Sequence, residues 1–515
     1  MHTKIVNAKI RTMDAANPIA SAAVIHDDLF DYVGNADVAE KYLDGIPHET
    51  IDAGGADVLP GFNDSHMHVL HCAGVSDVVS LQDAESVEAC IELMKSAYGK
   101  RVDGWIVAEG WNQEHFREKR MFTRADLDAV SEDIPVVARR VCGHLVVANT
   151  YALRLAGLIN HDGVLRENEC GAIYSLMPEP SVAEQLERLI RFQPKLFEHG
   201  ITSVQSDDLG WIPEGEAKVF LRAMAEASDN GRLMLRYAAQ VCLDGYEETR
   251  RFFNRRLHEI RGQGFRVAHQ KLFADGSLGA RTAWLSTPYA DSPDTSGIQM
   301  MSTNDMALQI RLAAEYGVPS TIHVIGDAAF GQALDAIELG GLGLRHALVH
   351  AQITQWPQIW RCGRMGLDIL AQPAFLRTDM PIIEKRVGAL ADSSYRWKSL
   401  LGAGSTVAFG TDSPVEPFDP MLNLYCAIAR HGPNMGHAYL PEEAFALDEA
   451  LYAYTVVGAR VSGESQEKGR IAAGMLADFV VLDGNLSDDD PESLLTVGIR
   501  ETYIGGTRVF AKGLH

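Results

Sequence analysis

No uninterrupted apolar run in this 515-residue chain is long enough to span a bilayer, and its lysines and arginines gather nowhere into a basic run. The first absence argues against a membrane-spanning helix. The second argues against nucleic acid and anionic membrane as partners, because both are bound through basic patches. Asp and Glu outnumber Lys and Arg by 69 to 46, giving a formal net charge of -23 that suits a solvated acidic surface. The seven cysteines are odd in number and show no Cys-x-x-Cys spacing, so neither a zinc ribbon nor a complete disulfide framework is expected. The N-terminal Met1-His2-Thr3-Lys4-Ile5-Val6 lacks the apolar core of a signal peptide, which makes the cytoplasm the expected compartment.

The chain does have enough apolar residues, 46%, to build a large core, and its length exceeds one ordinary domain. Residues 4–13, 22–33 and 48–51 read as short strands, as do 478–482 and 497–509 around Gly505-Gly506, with one short helical piece near 38–43. Termini of folded domains often lie close together. Residues 1–57 and 465–515 are therefore expected to form one small β-sandwich domain.

Between them, short β-branched runs alternate with helical patterns such as 182–196 and 304–316. That alternation predicts an α/β fold, a (β/α)8 TIM barrel over residues 58–464 with a parallel sheet and crossover helices. Its strands are read at 58–62, 201–205, 233–241, 266–273, 320–323, 346–350, 367–371 and 406–410. Two further apolar runs, 105–108 and 135–141, are left for an inserted subdomain at about 75–190, expected over the barrel mouth.

Chemistry enters at the strand ends. His66 and His68 are two apart on an apolar strand, so their side chains share one face and can share one metal ion. His323, His350 and Asp412 each follow an apolar run and fall at the carboxyl end of a proposed strand, where barrel enzymes gather their reactive groups. Four imidazoles and a carboxylate on one rim match the nitrogen and oxygen donors of a hydrolytic zinc, manganese or iron site. Lys271 lies near the end of a strand otherwise suited to burial. An unpartnered buried ammonium is costly, and a neutral amine can add carbon dioxide to become an anionic carbamate ligand. Pairing with Asp275 or another carboxylate is the alternative.

Several segments in order carry a family likeness: Leu59-Pro60-Gly61-Phe62-Asn63-Asp64-Ser65-His66-Met67-His68, Lys271-Leu272-Phe273-Ala274-Asp275-Gly276-Ser277, His323 with Ile325-Gly326-Asp327, Val349-His350-Ala351-Gln352 and Gly410-Thr411-Asp412-Ser413-Pro414. The closing run from Gly469 to Leu482 adds to the set. Over almost its whole length the chain resembles the amidohydrolase superfamily, in the branch of the YtcJ-like hydrolases and N-substituted formamide deformylase.

The resemblance implies a binuclear centre of two divalent metal ions, zinc the first candidate. One ion would be held by His66, His68 and Asp412 and the other by His323 and His350, with N6-carboxylated Lys271 bridging them. A single ion with unmodified Lys271 is the alternative. Asp412 would be the catalytic proton shuttle for hydrolysis of a non-peptide C–N bond in a small-molecule amide, formamide or cyclic amide. Ester or carbamate hydrolysis, and a metal-dependent isomerase or decarboxylase, stand as rivals; a barrel without a working site is the non-enzymatic one. Trp111, His144, Arg281, Trp284 and Gln372 are candidate substrate contacts, Tyr289 a further apolar wall, and a homodimer is the expected assembly from symmetry alone.

Overall fold

The computed structural model describes residues 1–81, 84–97, 104–113, 116–140, 145–177, 180–213, 215–341 and 343–513. Eight parallel strands form one sheet in strict chain order: Phe62–Met67, Ile201–Ser206, Arg236–Cys242, Phe265–Phe273, Ser320–Val324, Ala347–His350, Asp368–Ala371 and Thr406–Phe409. Neighbours in space are thus neighbours in sequence, and helices such as Thr303–Glu315 and Asp327–Gly340 cross between successive strands. The strands are apolar and buried along their length, as in Ala347–His350, because helices cover one side and packed side chains fill the other. Helix starts follow local chemistry: Ser302 accepts at its hydroxyl from the Asp305 N–H and starts the helix Thr303–Glu315.

The sheet curls into a nearly closed barrel, and its two ends meet at the carboxyl rim. The Asp412 N–H donates to the His66 carbonyl and the His68 N–H to the Ser413 carbonyl, each at 2.8 Å. The buried Asp64 carboxylate adds a second tie, accepting from the Thr411 N–H (3.1 Å) and hydroxyl (2.8 Å) and from the His66 N–H (3.2 Å). Burial pushes the Asp64 carboxyl up to about 7 even against these donors.

Strands from both ends of the chain pair with one another. A six-stranded sheet runs Thr507–Ala511, Ile499–Ile504, Phe479–Leu482, Asp57–Pro60, Lys9–Arg11 and Ile19–Ala20; a four-stranded one runs Leu29–Gly34, Ala22–His26, His2–Val6 and His48–Asp52. Ile5, Ile25 and Phe30 of one sheet share a core with Val58, Phe479 and Tyr503 of the other. Where barrel and terminal sheet adjoin, Arg236 at the start of the third barrel strand donates a fork of hydrogen bonds to Asp478, at 2.8 and 2.9 Å.

One strand departs from the sequence expectation. The run 58–62, expected to open the barrel, divides at Gly61. Asp57–Pro60 pairs antiparallel with Phe479–Leu482 in the terminal sheet, and the first barrel strand is Phe62–Met67. A Cβ on residue 61 would stand 2.2 Å from Thr202 Oγ1, so only glycine lets the chain pass between the two sheets here.

Residues 70–189 form a compact unit of their own. Its five-stranded sheet runs Val164–Arg166, Leu145–Ala148, Val136–Arg140, Ile106–Trp111 and Val79–Ser80. Leu81, Met94, Trp111, Phe116, Phe122 and Leu127 pack in its core. Among the described residues, no helix is long and apolar enough to cross a membrane.

Candidate metal centre

Strand register brings the candidate donors to one rim. Lys271 pairs with Thr321 and Phe273 with His323 along the fourth and fifth strands, and His350 aligns with Val324 on the sixth. His350, Ala351 and Asp412 leave their strands with φ of 69°, 46° and 56°. For residues with a Cβ this left-handed conformation costs on the order of 1 kcal/mol each, a type of strain that concentrates at functional sites.

The six residues lie together. His68 Nε2 stands 3.1 Å and His66 Nε2 3.5 Å from Asp412 Oδ1, and donor atoms of these three residues all lie within 4.8 Å of one another. His66 Nε2 is 3.1 Å from Lys271 Nζ. His350 Nε2 and His323 Nδ1 face each other at 3.1 Å.

The outer nitrogens decide what the inner ones can do. His66 Nδ1–H donates to Gln240 Oε1 (2.7 Å), and that amide cannot be turned round because its Nε2 already donates to the Ser65 carbonyl. His350 Nδ1–H donates to Gln372 Oε1 (2.7 Å), an amide pinned in the same way on the Leu370 carbonyl. His68 Nδ1–H meets the Asp207 carbonyl at 3.1 Å and His323 Nε2–H the Gly276 carbonyl at 3.0 Å. Oxygen acceptors therefore fix a proton on the outer nitrogen of every ring. This turns the inner nitrogens of His66 and His68 toward Asp412 and those of His323 and His350 toward each other, an arrangement that suits metal ligation.

Electrostatics agree for most of the set. Burial holds His66 and His323 well below the ordinary imidazole range, with further lowering from Lys271 and, for His323, first from His350. Burial likewise takes His350 down to about 4. His68 goes the other way: burial lowers it, but the hydrogen bond and charge of Asp412 outweigh that and raise it. Burial alone would raise the Asp412 carboxyl, yet the His68 hydrogen bond and the imidazoles of His350, His66 and His68 hold it far below the usual carboxylate range. It is an anionic donor at neutral pH.

Lys271 is completely buried, and the carboxylate beside it is Asp207, with Oδ2 3.5 Å from Nζ. Asp275, the partner considered from sequence, instead accepts the N–H groups of Trp284 (2.9 Å), Ile325 (3.1 Å) and Gly326 (2.8 Å) and ties the loop after the fourth strand to the fifth. Burial raises its carboxyl to about 7. Phe273 lies under Lys271 Nζ at 4.7 Å, and Phe375 stacks on His350 at 5.7 Å.

The candidate substrate contacts fare differently from the candidate metal donors. Gln372 orients His350, with both polar ends of its amide engaged. Arg281 forks onto Asp291 at 3.0 and 2.9 Å, so its guanidinium serves a carboxylate of its own loop. Trp111 is fully buried in its unit, its indole N–H donating to the Ala138 carbonyl at 3.1 Å and its ring packed on Phe116 and Phe122. Tyr289 is buried with its hydroxyl on the Ala283 carbonyl. Trp284 is half-buried and its backbone N–H is held by Asp275. His144 falls outside the described residues. Sequence reasoning missed Gln240 and Asp207; a lone polar residue in the apolar run 237–241 was the available signal for Gln240.

An eight-stranded parallel barrel with six candidate donors gathered at its carboxyl rim has the build of a barrel metalloenzyme. The sequence profile of the amidohydrolase family matches residues 49–510, and the chain belongs to that family. It is a hydrolase on that ground, and the family is one that uses divalent metal ions. The chain is 31% identical over 532 residues to "Putative amidohydrolase YtcJ" of Bacillus subtilis (strain 168), across 98% of each chain. It is 25% identical over 543 residues to the N-substituted formamide deformylase of Arthrobacter pascens, across 98% of this chain and 97% of the relative. Among solved structures, an uncharacterized metal-dependent hydrolase from Pyrococcus furiosus superposes with a TM-score of 0.79 at 29% identity, covering 95% of this chain and 100% of that one.

Proposed function

We propose that this chain is a metal-dependent amidohydrolase that cleaves a non-peptide C–N bond of an amide, formamide or cyclic amide. The observation that carries this is the set of inward ring nitrogens of His66, His68, His323 and His350 beside the Asp412 carboxylate. Nitrogen and oxygen donors of this kind suit zinc. One ion is assigned to His66, His68 and Asp412 and a second to His323 and His350. Lys271 Nζ, as a neutral amine adding to carbon dioxide with loss of one proton, would give an anionic carbamate able to serve as an oxygen donor to both. When bound, the ions supply Lewis acidity, activating water near neutral pH and polarising the scissile carbonyl.

The chain's own groups do the rest. Asp412 has Oδ1 turned to His66 and His68, so Oδ2 is the oxygen that takes the proton from the attacking water and passes it to the leaving nitrogen. Gln240, Gln372 and the Asp207 and Gly276 carbonyls hold the imidazoles in the donor tautomer. Phe273 and Phe375 give the centre an apolar wall that limits stray water. The formamide relative, by its name, acts on a C–N bond, which supports the bond type.

Purified, metal-loaded protein is to be screened with N-acyl and N-formyl amines in 18O-labelled water. The expected result is free amine and a carboxylate carrying one solvent oxygen. Turnover without solvent oxygen in the product would overturn hydrolysis in favour of an isomerase or decarboxylase, and turnover of esters or carbamates alone would overturn the C–N assignment. One observation favours a second reading of the centre: Asp207, 3.5 Å from Lys271 Nζ, can neutralise an unmodified lysine beside a single ion. One equivalent of metal per chain rather than two at the catalytic centre would select it.

A further inference from the structure

A second convergence of donors lies in the terminal domain, away from the barrel rim. Among the described residues, His2, His26 and Asp31 also place three metal-donor atoms within 4.8 Å of one another. Their meeting follows from strand register. His2 and His26 are direct partners on the antiparallel strands His2–Val6 and Ala22–His26, so their side chains rise from one face. The two imidazoles stack in parallel, 4.2 Å apart with 4° between planes, so an ion held by both would turn one ring out of the stack until the two in-plane lone pairs meet.

Asp31 arrives on this face through an irregularity. Along the next strand, Val24 pairs with Tyr32 and Ile25 with Phe30, which leaves Asp31 as the extra residue of a β-bulge. Ile25 and Phe30 point into the core, whereas Val24 and His26 alternate to the opposite face, which the helix Ala36–Tyr42 covers. A bulge commonly re-aims a side chain in this way. Tyr42, the last residue of that helix, donates its hydroxyl to Asp31 Oδ2. The carboxylate is thereby oriented with Oδ1 unclaimed by that bond, as partners of metal-bound carboxylates do.

We infer that His2, His26 and Asp31 form a binding site for a divalent transition-metal ion, separate from the catalytic centre. Two imidazoles and one carboxylate are a borderline donor set that favours zinc, nickel or copper over magnesium or calcium. Three protein donors leave a coordination position to water. The ion would link three neighbouring strands of the four-stranded sheet.

The test is calorimetric titration of the metal-loaded enzyme with zinc chloride, comparing wild type with His26→Gln and Asp31→Asn. These side chains are exposed and outside the catalytic machinery, so both variants are expected to keep turnover and catalytic metal content. Wild type should take up one equivalent more than either variant, and added zinc should raise the melting temperature of wild type alone. Equal uptake with equal affinity in all three proteins would overturn the inference. So would a wild-type gain that persists in both variants, since that ion would sit elsewhere.

Discussion

His323 Nδ1 and His350 Nε2 face each other at 3.1 Å while the other nitrogen of each ring already donates to an oxygen, the Gly276 carbonyl and Gln372 Oε1. Neither neutral ring has a proton to offer the other. In the proposed function both nitrogens are ligands of one ion, and the residues that hold the outer nitrogens become as consequential as the imidazoles.

Gln372→Ala removes the acceptor that fixes the His350 tautomer without touching a metal donor. Metal affinity should fall by about 10- to 100-fold, the usual effect of losing such a partner. Competition with a chromophoric chelator reads this directly, and wild-type affinity would refute the orienting role.

Asp412→Asn keeps the shape of the side chain but removes its proton-carrying capacity. A fall in kcat of about 10²- to 10⁴-fold is expected with the circular dichroism spectrum unchanged. Full activity in this variant would contradict the proton-shuttle assignment.

Lys271→Ala separates the bridging carbamate from an unmodified lysine. Metal content should drop below two equivalents by elemental analysis, with partial rescue of activity by short carboxylic acids. Unchanged metal content and activity would show that Lys271 is not a ligand.

Arg236 and Asp478 supply a pH-dependent contribution to stability outside the site. Burial would raise the Asp478 carboxyl, but the charge and hydrogen bonds of Arg236 more than offset this and lower it. A depressed carboxylate stabilises the fold fully above its unfolded value of about 3.9 and loses that contribution as pH falls through the lower folded value. Asp478→Asn leaves a largely buried guanidinium without its charge partner, at a cost of about 3 kcal/mol at neutral pH. Urea midpoints of wild type and variant should differ clearly at pH 7 and converge as the pH is taken below about 4. A gap that stays constant across that range would show that the pair does not act through charge.

Much of the barrel was legible because its signals are local. Strand Ala347–His350 is an apolar run that ends in one titratable residue, and such a pattern needs no knowledge of its neighbours. The opening strand was not legible in the same way. Val58-Leu59-Pro60 is as apolar and buried as a barrel strand, and only its pairing with Val481, Val480 and Phe479 assigns it to the terminal sheet. Arg281 and Trp111 were read as open to substrate because sequence shows a side chain's chemistry but not its partner. Asp291, ten residues on, and the Ala138 carbonyl, 27 residues on, occupy them.

The sequence by itself determined the barrel class, the family likeness and the roster of candidate donors, since periodicity and strand-end chemistry are written in consecutive residues. Only the tertiary structure decided which nitrogen of each imidazole turns inward. That choice belongs to acceptors such as Gln240, 174 residues from His66, and Gln372, 22 residues from His350. An acceptor that holds the proton on one ring nitrogen leaves the lone pair of the other free to ligate, and chain folding alone brings ring and acceptor together.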